Sequence, residues 1–159
     1  MIIALTAEYV DSFYELFAEV MNTEFTEFHK NDIYTFVNIL HKKENFSRPE
    51  YQRIYDVIIS IDKNNNVIGF IIAIKSVTGV SNIAWMGVDK TCRMKGVGSD
   101  LLAYYEKIAD NLGYHLIELN TIKGKEDFYI KNGYYVIGVR EDGHYHIDNI
   151  IMNKRVNIS

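Results

Sequence analysis

The chain has 159 residues, of which 48% are hydrophobic and 24% charged. That length reads as a single domain over 1–159, and that composition builds a core, so disordered and fibrous classes are out. Seventeen basic residues stand against 21 acidic ones, a net charge of −4, which argues against a protein that grips nucleic acid through its phosphates.

One cysteine, Cys92, excludes an intrachain disulfide and a Cys-rich zinc site. Residues 1–10 contain no Lys or Arg and already carry Glu8, so they do not read as a secretory signal. The longest apolar run, 67–74, is too short to span a bilayer and is interrupted by Gly69. A cytoplasmic protein with no metal and no membrane partner is expected.

In chain order, residues 1–5 are short and apolar and predict a strand, with Thr6 as the N-cap of a helix. Phe13, Leu16, Phe17 and Val20 recur at helical spacing to about Met21. Residues 22–32 are polar, and Ile33, Phe36, Val37 and Leu40 repeat the helical pattern. Residues 45–53 hold the single proline, Pro49, and read as a loop. Strands are predicted over 55–61 and 67–77 from their β-branched content. Lys63-Asn64-Asn65-Asn66 between them makes a hairpin, since Asn tolerates positive φ. Residues 82–88 predict another strand. Leu101, Leu102, Tyr105, Ile108, Ala109 and Leu112 form the clearest amphipathic helix, over 100–112, and Gly113 stops it. A strand at 116–121, a short helix at 126–131, and strands at 134–139 and 146–152 around Glu141-Asp142-Gly143 complete the order. The sum is an α/β fold, a mixed sheet of about seven strands with helices on its faces.

Arg93-Met94-Lys95-Gly96-Val97-Gly98-Ser99 lies between the 82–88 strand and the long helix. A helix start offers unpaired N–H groups and the positive end of the dipole, and glycines let an anion approach that backbone. Lys90, Arg93 and Lys95 add three cations beside it. A diphosphate suits such a loop, although two glycines alone shape many tight turns. The spacing matches neither GxGxxG nor GxxxxGK[ST]. Downstream stands Phe128-Tyr129-Ile130-Lys131-Asn132-Gly133-Tyr134.

Strand, Arg-x-x-Gly-x-Gly, amphipathic helix, strand, then Phe-Tyr-x-Lys-x-Gly-Tyr resembles the GNAT superfamily of acyl-CoA-dependent N-acyltransferases. The motifs span residues 82–134, and the element order extends the likeness over nearly the whole chain. The resemblance implies a mostly antiparallel sheet whose splayed strands hold the cofactor. It implies that the amides of Met94, Lys95, Gly96, Val97, Gly98 and Ser99 bind the pyrophosphate of coenzyme A, with Arg93 at the motif's first position. The preceding strand would pair with the pantetheine arm through Met86 and Val88. Tyr129 takes the position of the acid that protonates the departing thiolate. Many members carry an Asn just before the second motif. Here that stretch is Ile122-Lys123-Gly124-Lys125, and the nearest Asn is Asn120, the candidate for that contact. Members often pair as homodimers, which periodicity here neither supports nor opposes.

The implied reaction moves an acetyl group directly from acetyl-CoA to a primary amine of a small molecule or peptide. The amine must be neutral, and at pH 7 only about one lysine-like amine in 2,500 is. The oxyanion needs an N–H donor, for which Val88 is the candidate. A phenol such as Tyr129 keeps its proton at pH 7 and supplies it to a thiolate. For the base, Glu24, Glu27, His29, Glu118, His144 and His146 qualify by type; Glu118 alternates with Leu119, which points it either into the cleft or onto a solvated sheet face, and a chain of waters is the alternative to any side-chain base. Glu24, Glu27, Asp32, Glu141 and Asp142 would make acidic walls for a cationic acceptor. Phe25, Phe28, Tyr34 and Phe36 are core by default and pocket lining otherwise, and Trp85 is core or a wall of the cleft. The alternative to an enzyme is the same fold holding coenzyme A as a sensor or partner-binding module.

Overall fold

The computed structural model describes residues 1–156. The strands are β1 (Ile2–Ala4), β2 (Tyr55–Ile61), β3 (Val67–Ile74), β4 (Val80–Val88), β5 (Leu116–Ile122), β6 (Tyr135–Arg140) and β7 (Asn149–Arg155). The helices are α1 (Val10–Glu24), α2 (Lys30–Thr35), α3 (Pro49–Ile54), α4 (Val97–Asn111) and α5 (Glu126–Lys131). The strands form one sheet in the order β1-β2-β3-β4-β5-β7-β6. Every neighbouring pair is antiparallel except β4 and β5. The expected mixed sheet of seven strands is therefore observed. Among the described residues no helix is long and apolar enough to cross a membrane.

β3 is nearly all apolar because both its faces are covered. Phe70 and Ile72 face the α1 side, where Phe13, Phe17, Phe36 and Phe46 pack. Ile71 and Ala73 face α4, against Leu101, Leu102 and Tyr105. Phe13 meets Phe70 edge-on at 5.5 Å, and both are fully buried. Each such ring contributes roughly 2–3 kcal/mol by leaving water. The β2–β3 turn forms as expected: Asn65 has φ 64°, and Asp62 Oδ1 accepts from the amides of Asn64 and Asn66 at 2.8 and 2.9 Å.

Several boundaries move, each for a local reason. Thr6 makes no side-chain cap; a single tight turn, Ala7–Tyr9, precedes α1. α1 runs on to Glu24, past Met21. α2 starts at Lys30, where His29 Nδ1 accepts from the Asn31 amide, and it widens into a π turn at Phe36–Leu40. The expected loop over 45–53 contains α3, because Pro49 sits in a first helical turn, which needs no proline N–H. β3 ends at Ile74 and β4 begins at Val80. β6 begins one residue late, at Tyr135. The last strand starts at Asn149 because Tyr145 and His146 adopt positive φ, 54° and 62°, in a turn. The long helix begins at Val97, so Val97, Gly98 and Ser99 form its first turn.

Candidate active site

β4 and β5 pair over four residues only, from Val80↔Leu116 to Ile83↔Leu119. β4 then runs on to Val88 and β5 to Ile122 without pairing to each other, so a wedge opens in the middle of the sheet. A cleft of about 1010 Å³ occupies it. Ladder alternation settles which backbone groups face the opening. The Asp89 amide donates to Ile68 O at 2.9 Å, across β3. Gly87, two residues earlier and opposite Phe70, therefore also turns its polar groups to β3. Met86 and Val88 turn theirs toward the wedge. Val88 O accepts from Arg93 Nε at 3.4 Å, which fits that orientation.

Gly96 caps α4 with φ 85°, a conformation that favours glycine. No side chain caps this helix, and Asp100 is the first residue whose amide returns into it, to Gly96 O. The amides of Val97, Gly98 and Ser99 thus point out of the helix start as open donors at its positive end. All three residues line the cleft, as do Met94 and Gly96. A Cβ on Gly98 would sit 2.9 Å from the Phe128 ring and 3.1 Å from Met86 Cε, so the loop is held close against both walls. Lys95 is turned away: its Nζ donates to Thr91 O at 2.9 Å, and it does not line the cleft.

Tyr129, on α5, lines the opposite wall. Its hydroxyl has no hydrogen-bond partner among the described residues, and burial pushes its pKa up to about 12. Asn120 also lines the cleft, and its Oδ1 is buried without a hydrogen-bond partner among the described residues. Met86 and Val88 complete this group of sequence-predicted residues.

Three expected residues stand differently. Glu118 pairs with Asn82 in the closed part of the β4–β5 ladder, one pair below the point where the strands part, and it does not line the cleft. Its register is what keeps it out of the cleft lining. Glu27 is exposed and outside the cleft. Glu24 lines the cleft, but its carboxylate is 2.7 Å from Arg93 NH2, and this hydrogen bond holds its pKa below the ordinary carboxylate range. Among the other acidic candidates, Asp142 binds His146 at 2.8 Å, and neither it nor Glu141 lines the cleft. The acidic wall is therefore not assembled.

The sequence reading did not single out His41, Tyr55, Asn82, Tyr145 or Lys125, all of which line the cleft. His41 is buried, sits 3.0 Å from the Tyr51 hydroxyl through Nδ1, and burial lowers its pKa to about 4. These residues sit in no motif: Tyr55 and Asn82 come from β2 and β4, Lys125 from the start of α5, and His41 and Tyr145 from the segment after α2 and the β6–β7 turn. Of the four aromatics weighed together, Phe25, Phe28 and Phe36 line the cleft and Tyr34 does not. No cluster of metal-binding side chains exists among the described residues.

A parallel pair splayed inside an otherwise antiparallel sheet, with an uncapped helix start at its mouth, is the architecture of acyl-CoA-dependent transferases. The family described as "Acetyltransferase (GNAT) domain" matches residues 55–136, from the start of β2 into β6 and just over half of the chain. The chain belongs to this family. Among solved structures it resembles PaiA N-acetyltransferase from Thermoplasma acidophilum in complex with coenzyme A, at TM-score 0.76 and 20% identity over 98% of each chain. It also resembles a GNAT-family acetyltransferase from Staphylococcus aureus Mu50, at TM-score 0.74 and 23% identity over 99% of each. A third likeness is to the aminoglycoside 6'-N-acetyltransferase from Enterococcus faecium, at TM-score 0.72 and 18% identity over 98% of this chain and 96% of that one. At these identities the likeness carries the fold. No curated protein matches the sequence.

Proposed function

We propose that the protein is an acetyl-CoA-dependent N-acetyltransferase that moves the acetyl group directly to a primary amine. The observation that carries this reading is the wedge between β4 and β5, with Met86 and Val88 turned into it and the α4 amides at its mouth. The amides of Val97, Gly98 and Ser99, with Arg93, hold the diphosphate. Unpaired backbone of Met86 and the Val88 N–H bond the pantetheine arm as a missing strand would, and Asn120 Oδ1 takes one of its N–H groups.

Val88 lies next to the glycine loop, so it belongs to the diphosphate end. The thioester lies further toward the apex of the wedge. This moves the oxyanion donor from Val88, the candidate by sequence, to the Met86 N–H. Tyr129 faces the sulfur. Burial raises its pKa to about 12, above that of a thiol near 8.5, so full transfer of its proton is unfavourable. Tyr129 therefore donates a hydrogen bond to the developing thiolate while the proton lost by the amine ends on sulfur. The sensor reading has no observation of its own, since the Tyr129 hydroxyl has no structural partner to explain it.

Calorimetry with coenzyme A tests the binding half, with Gly96→Glu as the variant: a carboxylate at the helix start repels the diphosphate and abolishes uptake. Unchanged uptake by that variant would sink the assignment. Release of free thiol tests the chemistry. Tyr129→Phe loses a hydrogen bond to a developing charge, about 1.5–3 kcal/mol or roughly 10- to 150-fold in kcat, with coenzyme A affinity unchanged. A fully active variant removes Tyr129 from the mechanism.

A further inference from the structure

We infer that the acceptor is a monoamine carried on a flat apolar body, an arylalkylamine in shape, and that polycations are rejected. The inference rests on the N-acetyltransferase reading and names the acceptor for that site.

The α1 side of the cleft is an aromatic box. Trp85 on β4 is its floor. Phe36 lies 4.5 Å from Trp85 between ring centres, and Phe25 meets it edge-on at 5.2 Å. Phe28 stands at 89° to Trp85, 6.4 Å away, and touches Tyr145 at 5.0 Å. All five rings line the cleft. Their flat faces and edges suit a planar apolar group, which gains by leaving water and by offset or edge contacts.

The charges point the same way. Glu24 is the one carboxylate lining the cleft among the described residues, and Arg93 neutralises it. Asp32, Glu27 and Glu118 lie outside the lining. Lys125 stands 5.3 Å from the Phe25 ring centre and donates to Glu24 O. Lys131 lines the cleft as well. An acceptor ammonium entering here meets ring faces, which attract one cation. That group is the nucleophile, and burial eases the loss of its proton. A second or third ammonium on the same molecule would be desolvated beside lysine and arginine, with Glu24 already held by Arg93 and Asp32 reaching only the Tyr145 edge of the box. A polyamine or aminoglycoside is the kind of acceptor this box excludes.

The test uses the purified full chain with acetyl-CoA and measures thiol release with tryptamine and phenethylamine against spermidine and kanamycin. The expected result is a kcat/KM at least about tenfold higher for the aromatic monoamines. Phe25→Ala is expected to raise the KM for tryptamine about tenfold while calorimetry finds coenzyme A affinity unchanged. Trp85→Leu, which keeps an apolar floor without the flat ring, gives the same split if Phe25→Ala folds poorly. Two outcomes overturn the inference while leaving the transferase reading intact: a preference for the polycations, or faster reaction with octanoyl-CoA than acetyl-CoA, which would assign the rings to the acyl chain. Failure to take up coenzyme A, or uptake with no transfer to either set, sinks the transferase reading instead, so the two failures are distinguishable.

Discussion

His41 was invisible to motif reasoning, and it carries a pH dependence of its own. It closes the back of the cleft among Phe17, Phe36 and Phe46, with ring centres 6.1, 4.3 and 6.3 Å away, where a charged imidazole would be desolvated. Its pKa falls from 6.5 to about 4. Between those values the unfolded chain binds a proton that the folded chain refuses. Stability is therefore full above pH 6.5 and declines as pH falls toward 4, by about 3 kcal/mol in total. Urea unfolding at pH 7.5 and pH 5 measures this slope. His41→Phe removes the titrating group and is expected to flatten the slope; a variant with the parent's slope would place the acid sensitivity elsewhere. Glu24, its pKa depressed by the hydrogen bond from Arg93, adds stability that is present above the ordinary carboxylate pKa and is lost as pH falls through its lowered value.

At the scale of elements, the central feature is that β4 turns alternate amides in opposite directions. Asp89 N–H is held by Ile68 O, whereas Val88 and Met86 face the wedge. Hydrogen exchange reads this directly. The amides of Met86 and Val88 exchange fast in the free protein, and those of Gly87 and Asp89 slowly. Acetyl-CoA is expected to slow Met86 and Val88 at least about tenfold and to leave the others unchanged. Protection of Met86 and Val88 before any ligand is added would mean that the wedge is closed in solution.

This alternation was legible in outline. The motifs at 93–99 and 128–134 fixed where a splayed strand and a helix start should lie, because backbone geometry near a diphosphate leaves few residue choices. The register was not legible: nothing in Glu118 or Asn120 tells which falls below the fork and which above it. The start of α4 was read three residues late because Gly96 and Gly98 look like loop residues, although one of them caps the helix and the other lies within it. The same limit hid α3, whose Pro49 reads as a breaker in a sequence and serves as a helix start in the structure.

At the scale of the whole molecule, the family match begins at Tyr55 and runs into β6, while Phe25, Phe28 and Phe36, which precede it and lie just beyond α1 and α2, supply three of the five rings of the proposed acceptor box. On the proposed function, the half shaped by the co-substrate carries motifs, and the half that meets the acceptor is built from ordinary core-like aromatics. The two are tied across the cleft mouth by Lys90–Glu19 at 3.1 Å, Arg93–Glu24 at 2.7 Å and Lys125 Nζ to Glu24 O at 3.2 Å. Arg93 is thus occupied in the free protein by the acidic residue that sequence reasoning gave to the acceptor. On the proposed function, the incoming diphosphate competes with Glu24 for Arg93. An ion pair this exposed is worth about 0.2–1 kcal/mol, so the exchange is easy and its cost small. Glu24→Gln is expected to tighten coenzyme A binding by roughly 1.5- to 5-fold in calorimetry, whereas Arg93→Ala weakens it by more than that, since the diphosphate contact is lost as well. Weaker binding by Glu24→Gln would reverse the assignment, making Glu24 the residue that positions Arg93 for the diphosphate and α1 part of the cofactor site.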